Sequence, residues 1–280
     1  MNTAHPDVER VTRDYYNSSS ADRFYETVWG GEDIHIGIYE HPGESIFDAS
    51  RRTVERMASA LPDAGPESSL LDIGSGYGGS ARFLARRVGC RLTCLNLSEV
   101  QNLRNRELNR RAGLATAITV VDGSFEELPF DDRDFDAVWS QDALLHSGRR
   151  ETVLREVDRV LKPGGRFIFT DPMQSDDADA ELLKPVLERI HLASMGSPGF
   201  YRETAARLGW KEEAWIDLSP QLPKHYARVR EEVLRRETDL LRVCERDYID
   251  RMKLGLQHWV DAGRAGRLKW GIFVFRRVSA

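Results

Sequence analysis

Asp142 and His146 stand four residues apart in the run WSQDALLHS, Trp139–Ser147. If that run closes as a helical turn, the two side chains share a face and the carboxylate can hydrogen-bond the imidazole. Such a bond fixes the ring's orientation and favours its protonated form. An alkylammonium is not a nucleophile until it gives up a proton, so the pair suits a base or proton relay. A helix cap made by His146 is the structural alternative. Asp72 is the second chemical group, two residues before the first glycine of LLDIGSGYGGS, Leu70–Ser80. Gly74, Gly76 and Gly78-Gly79 let the chain reverse tightly and bring backbone N–H groups near a ligand. A carboxylate there opposes a pyrophosphate seated on a helix N-terminus, where the dipole favours anions. It suits a phosphate-free ligand with a cationic end. The third concentration is aromatic: Tyr15, Tyr16, Phe24, Tyr25, Trp29 and Tyr39. Ring faces can hold a cationic group at about 0.5–2 kcal/mol each. For any one of these rings, core packing is the alternative.

The elements that must position these groups are legible from apolar runs and turn residues. Leu70–Ile73 is a short buried strand, followed by helix Gly79–Arg87, strand Arg91–Asn96, helix Glu99–Ala112 and strand Ala117–Asp122. Strand Asp136–Ser140, helix Arg149–Leu161 and strand Arg166–Asp171 follow, with LKPGG (Leu161–Gly165) as a glycine-ended, proline-blocked helix stop. Glu212–Asp217 and Trp270–Arg276 are two further strands. Strands alternating with helices imply right-handed crossovers and a largely parallel, doubly wound α/β sheet. Ligands bind beyond the carboxyl ends of such strands. Three stretches lie outside that minimum: residues 1 to about 45, the polar helical 173–208, and a charged helical excursion over 219–267. The last includes a helix expected over 224–247, and so long an excursion is usually functional or a lid. The expected organisation is a helical cap (1–60), a Rossmann-like binding core (61–172), a helical insertion (173–211), and the last two strands around the 219–267 insertion (212–280).

The formal charge of −5 over 280 residues argues against sequence-independent nucleic-acid binding. No run is long enough to span a bilayer, and the N-terminal stretch lacks a signal peptide's apolar core. Cys90, Cys94 and Cys244 form no ligand pattern, so they are read as reduced thiols of a cytoplasmic protein that needs no metal.

The spacing Asp72-x-Gly74-x-Gly76-x-Gly78-Gly79 resembles the first motif of class I S-adenosylmethionine-dependent methyltransferases. That fold implies a seven-stranded sheet. It usually places an acid at the end of the second strand for the ribose; here the residue is Asn96, which accepts one bond without charge. DGSFEELPF (Asp122–Phe130) resembles the adenine-side motif and puts Ser124 and Phe125 there, with Asp122 as a substitute acid. The same reading assigns Ser75, Leu97, Gln101, Gly123 and Gln141 to the donor. Tyr15–Ile46, with its block VWGGEDIHIG, together with LNLSEVQN and DGSFEEL, looks like the glycine/sarcosine/dimethylglycine N-methyltransferases of betaine synthesis, closest to the sarcosine/dimethylglycine type. SQDALLH and the long insertion also resemble phosphoethanolamine methyltransferases. There the matching Asp and His form the catalytic dyad and a tyrosine matching Tyr16 lines the site. This chain has Pro172 and Ala262 where those enzymes place a tyrosine and a phosphate-gripping lysine, which favours a phosphate-free acceptor.

What the resemblance implies is an N-methyltransferase that uses S-adenosylmethionine, yields S-adenosylhomocysteine, and acts as a monomer or homodimer. Asp142, His146 and Tyr16 would be catalytic. Tyr25, Trp29, His35, Met173, Tyr201 and Arg202 would face the acceptor. His35, Arg202 or an arginine of 228–236 would hold its carboxylate, with His35 alternatively touching the donor. Methylation of another small amine, a phosphobase, or an oxygen or carbon acceptor, and a non-catalytic donor-binding regulator, remain the alternatives.

Overall fold

The structure is a computed structural model describing residues 8–17, 24, 27–29, 31–189, 192 and 194–278. Helices α1 (Val8–Asn17) and α2 (Ile46–Ala58) precede the first strand. Then come β1 (Ser69–Ile73), α3 (Gly79–Val88), β2 (Arg91–Asn96), α4 (Glu99–Arg111), β3 (Ile118–Asp122), β4 (Phe135–Gln141), α5 (Arg150–Val160) and β5 (Leu161–Thr170). The C-terminal part holds β6 (Met173–Gln174), α6 (Ala180–Arg189), α7 (Pro198–Arg207), β7 (Trp210–Asp217), α8 (Gln221–Arg235), α9 (Glu237–Leu240), α10 (Arg246–Arg264), β8 (Leu268–Lys269) and β9 (Gly271–Arg277).

Seven strands form one sheet in the order β3-β2-β1-β4-β5-β9-β7, and β6 pairs with β8 as a separate ribbon. Pairings from β3 to β5 are parallel, and β9 runs antiparallel to both β5 and β7. The order reverses between β1 and β4, which opens a crevice above their carboxyl ends, where ligands of such sheets bind. The strands bury both faces. Leu71, Val138 and Phe169 pack with Leu154 and Val157 of α5 on one side, and Leu70, Cys94 and Ile168 pack with Val54 and Met57 of α2 and Leu84 of α3 on the other.

Two sequence expectations change. LKPGG does stop the helix, but not through its glycines: α5 ends at Val160 with Leu161 as its C-cap, and Leu161 already pairs with Phe135 as the start of β5. Pro163 makes Lys162 extended, and the register shift between Phe135 and Ala137 absorbs the glycines. The charged stretch 224–247 is not one helix. It stops at Arg235, resumes over Glu237–Leu240, and a new helix begins at Arg246. Its apolar stripe (Val229, Val233, Leu240) packs against Phe24, Val28 and Trp29, so both chain ends meet above the crevice.

Candidate active site

The β1–α3 turn is built by close approaches that only glycine permits. Gly78 has φ +75°, and a Cβ there would collide with the Asn105 side chain; a Cβ on Gly74 would collide with Ala143. The N–H groups of Gly74 and Ser75 both donate to Leu95 O, at 2.8 and 3.2 Å. They tie the turn to β2, so the expectation of a ligand-facing N–H is not met at Gly74. What the turn does is carry Asp72 to the floor of a cavity of about 960 Å³, open solvent at its mouth included.

That cavity is lined by Asp72, Gly74, Ser75, Gly76, Gly79, Asn96, Leu97, Gln101, Gly123, Ser124, Phe125, Gln141 and His35. These are the residues assigned to the donor from the sequence. Asn96 Nδ2 donates to Gln101 Oε1 at 3.0 Å, which leaves Asn96 Oδ1 as its acceptor. Asp122 is not available as a second acid: it accepts from Asn102 Nδ2 (2.8 Å) and pairs with Arg106 at 2.6 Å. The acid beside Ser124 is Glu9 of α1, which accepts the Ser124 hydroxyl. No sequence signal marked Glu9, because the contact joins positions 115 residues apart.

Burial pushes the Asp72 carboxyl up to about 7, with Asp33 pushing it further and His35 pulling it down. Asp33 goes the other way. Burial raises it, but the hydrogen bond and charge of His35, then Arg51 and Arg82, leave it below the usual carboxylate range. Arg51 sits 2.7 Å from Asp33. A cationic ligand over Asp72 would restore its ionised form.

Asp142 and His146 come together differently from a helical dyad. Asp142 directly follows β4 with φ +49°, and only Leu144–His146 form a short 3-10 turn. Asp142 Oδ2 accepts the Ile36 N–H at 2.7 Å and Oδ1 accepts the Trp270 indole N–H at 2.8 Å. Its carboxylate therefore fixes the N-terminal segment and the approach to β9, and it does not hold the imidazole. Burial raises its pKa; the opposing influences are His35 first, then those hydrogen bonds. His146 Nε2 is hydrogen-bonded to the Tyr16 hydroxyl at 3.1 Å, with the rings edge to face. Asp171 sets the turn beneath His146 by accepting the Leu145 N–H at 2.9 Å.

A second cavity of about 790 Å³, its open mouth included, adjoins the first. Tyr16, His35, Asp142 and His146 line both. Tyr15, Trp29, Pro172, His225, Tyr226 and Trp259 line only the second. Among the described residues, no lysine or arginine lines it. Of the acceptor-side assignments, Trp29 and His35 are here, and Tyr25 lies outside the described residues. The other three are not. Met173 is fully buried among Phe169, Tyr201 and Phe273. Tyr201 is likewise in that core, its hydroxyl donating to Asp171 at 2.7 Å. Arg202 pairs with Glu212 at 2.9 Å and lies over the Trp215 and Phe273 rings. Arg228, of the 228–236 stretch, pairs with Glu231 and Glu232, and Ala262 is buried in packing with Trp259 and Leu268.

Their positions have a measurable consequence. Arg202→Ala is expected to leave the acceptor KM unchanged and to cost at most about 1 kcal/mol of stability, as for exposed ion pairs. Tyr201→Phe should cost about 1–3 kcal/mol by leaving a buried carboxyl short of a donor. Denaturant melts with steady-state kinetics check both, and a raised KM for Arg202→Ala would return it to the site.

Residues that sequence reasoning missed are Glu9, Asp33, Trp259, Trp270 and His225. Asp33 was inside the VWGGEDIHIG block. His225 is on the buried stripe Leu222, His225, Val229, Val233 of α8, where a histidine reads as core.

The chain matches a general methyltransferase domain family over residues 71–169. It is 56% identical over 267 residues to the sarcosine/dimethylglycine N-methyltransferase of Halorhodospira halochloris, covering 95% of this chain and 96% of that one. It is 51% identical to the enzyme of the same name from Aphanothece halophytica, covering 96% and 98%. The crystal structure of a Galdieria sulphuraria protein assigned as a sarcosine dimethylglycine methyltransferase superposes with a TM-score of 0.90 at 44% identity, covering 95% of this chain and all of that one. A crevice at the β1/β4 reversal, a phosphate-averse acid at its floor and near full-length identity above one half lead to one conclusion. The chain belongs to the sarcosine/dimethylglycine N-methyltransferase family of class I S-adenosylmethionine-dependent methyltransferases.

Proposed function

We propose that this protein methylates the nitrogen of sarcosine, dimethylglycine or both, toward glycine betaine, with S-adenosylmethionine as donor and S-adenosylhomocysteine as product. The observation that carries the reading is the junction of two cavities at Tyr16, His35, Asp142 and His146. The first cavity fits such a donor. Ser75 Oγ and Gln141 Nε2 are buried there with no hydrogen-bond partner, beside the raised carboxyl of Asp72. When bound, the donor supplies an electrophilic methyl group on a sulfonium.

The chain's own residues then have separable tasks. Asp72 favours the cationic donor, and Asn96 Oδ1 and the Ser124–Glu9 pair offer acceptors. His146 takes the acceptor's proton through Tyr16: the Tyr16 hydroxyl, hydrogen-bonded to Nε2, gives its own proton to that nitrogen as its oxygen receives one from the alkylammonium, and it then accepts from the protonated ring. The rings of Tyr15, Tyr16 and Trp29 meet the charge that grows on nitrogen. The lining without lysine or arginine suits an acceptor of no net charge and offers nothing to a phosphate. Orienting donor and acceptor while excluding water is the largest contribution, roughly 7–11 kcal/mol for well-aligned reactants.

Labelled donor incubated separately with glycine, sarcosine and dimethylglycine should transfer label to sarcosine, dimethylglycine or both. Label in none of the three would refute the acceptor. The proposal includes a small-molecule substrate without nucleic acid, no membrane association, and action in the cytoplasm as a monomer or homodimer. Among the described residues no helix is long and apolar enough to cross a membrane, and no group of side chains suited to a metal occurs.

A further inference from the structure

His225 borders the second cavity and has one ring nitrogen without a hydrogen-bond partner. It is 0% exposed on α8. Its Nδ1 receives the backbone N–H of Gly37 at 3.2 Å and the Tyr39 hydroxyl at 3.0 Å. A backbone N–H can only donate, so Nδ1 carries no proton. Burial, with the charge of His35, pushes the ring's pKa down to about 3, so the ring is neutral and its single proton is on Nε2. That atom is buried and has no hydrogen-bond partner. Gly37 and Tyr39 do not line the second cavity, but His225 does. The Nδ1 edge of the ring is therefore taken up by the N-terminal segment, and the Nε2–H edge is the one left over in a residue that borders the acceptor space. An orphaned buried donor is destabilising, and a ligand acceptor removes that cost.

Resting on the functional reading above, we propose that His225 binds the carboxylate of the amino-acid acceptor through Nε2–H, acting as a neutral hydrogen-bond donor. A neutral donor suffices because the acceptor is a zwitterion. Its carboxylate and its nitrogen are one carbon apart, so the molecule has a dipole and no net charge to balance. The cavity divides that dipole, with His225 at the anionic end and His146, Tyr16 and the rings at the nitrogen. This accounts for a carboxylate site without arginine or lysine among the described lining residues.

The test is a KM-against-kcat split. His225→Leu should raise the KM for dimethylglycine by roughly 10–100-fold, with kcat and the donor's dissociation constant within about threefold of wild type. Preference for dimethylglycine over N,N-dimethylethylamine, which lacks the carboxylate, should fall by the same factor. His225→Gln keeps an N–H near the Nε2 position and should recover most of the loss. A structural role alone would lower kcat or donor binding without changing that preference, and would overturn the proposal. Should His225→Leu fail to fold, nitrogen-detected NMR of the wild-type enzyme decides. The Nε2 resonance of His225 should move on adding dimethylglycine or glycine betaine but not tetramethylammonium, and an unmoved resonance in saturated enzyme overturns the assignment. Wild-type enzyme inactive toward every carboxylated amine would overturn both this and the functional reading, whereas activity with an unchanged His225→Leu KM would overturn only this.

Discussion

His146→Ala is expected to lower kcat by roughly 10²–10⁴-fold while the donor's dissociation constant stays within about threefold of wild type. The asymmetry follows from position. His146 borders both cavities, but its Nε2 is engaged by Tyr16 and not by the groups that line the first cavity alone. Losing the base leaves the acceptor as an alkylammonium, bound but without a free lone pair. The loss should shrink at high pH, where the amine deprotonates in water before binding. Tyr16→Phe, which removes only the relay partner, should cost less, about tenfold. Stopped-flow donor binding alongside steady-state rates separates the two effects. Equal losses in turnover and donor affinity would place His146 in the donor pocket and out of the proton transfer.

Asp72→Asn is the second large effect, and it acts on the donor. The wild-type carboxyl is raised to about 7 by burial, so below neutrality the free enzyme holds it mainly protonated. A cationic donor binds the ionised form. Its affinity should therefore weaken by up to tenfold per pH unit as pH falls below about 7, with proton release on binding. Asn is close in shape and never ionises, so the variant should show no such slope and bind the donor about 10–100-fold more weakly at pH 8. The ligand-free protein should respond in the opposite sense. A carboxyl whose folded pKa exceeds its unfolded one contributes stability that is complete below about 4 and lost as pH rises through about 7. Ligand-free Asp72→Asn is thus expected to melt above wild type at pH 8 and to lose that advantage at pH 5. Calorimetry in two buffers of different ionisation enthalpy, with thermal melts at both pH values, checks these signs. An unchanged donor affinity at pH 8 would show that Asp72 does not face the cation.

Both predictions use residues visible in the sequence, and the reason is local. One wall of the donor cavity is made by turns that directly follow β1, β2, β3 and β4, so those contributors lie within a few residues of a strand end that apolar patterning already marks, while Glu9 and Asp33 reach the cavity from before the first strand. Ser75, Asn96 and Phe125 were legible for that reason. The acceptor side has no such shortcut. Met173 follows β5 closely in sequence and Tyr201 lies in α7, yet β6 pairing with β8 and the Tyr201–Asp171 hydrogen bond turn both into the core. Arg202 was attractive as a cation, but β7 supplies Glu212 beside it. Local pattern cannot show which charge has already found a partner.

By itself the sequence determined the α/β order, the acid-and-glycine turn, the absence of any phosphate-seeking motif and the family likeness, because each is written in contiguous residues. Tertiary structure alone decided who holds whom across the crevice: Glu9 on Ser124, Trp270 on Asp142, and Gly37 on His225, pairs 115, 128 and 188 positions apart. The physical reason is that a hydrogen bond depends on distance in space, and only the folded sheet brings both chain ends over one edge. There the last proton of His225 acquires a direction that no spacing along the chain contains.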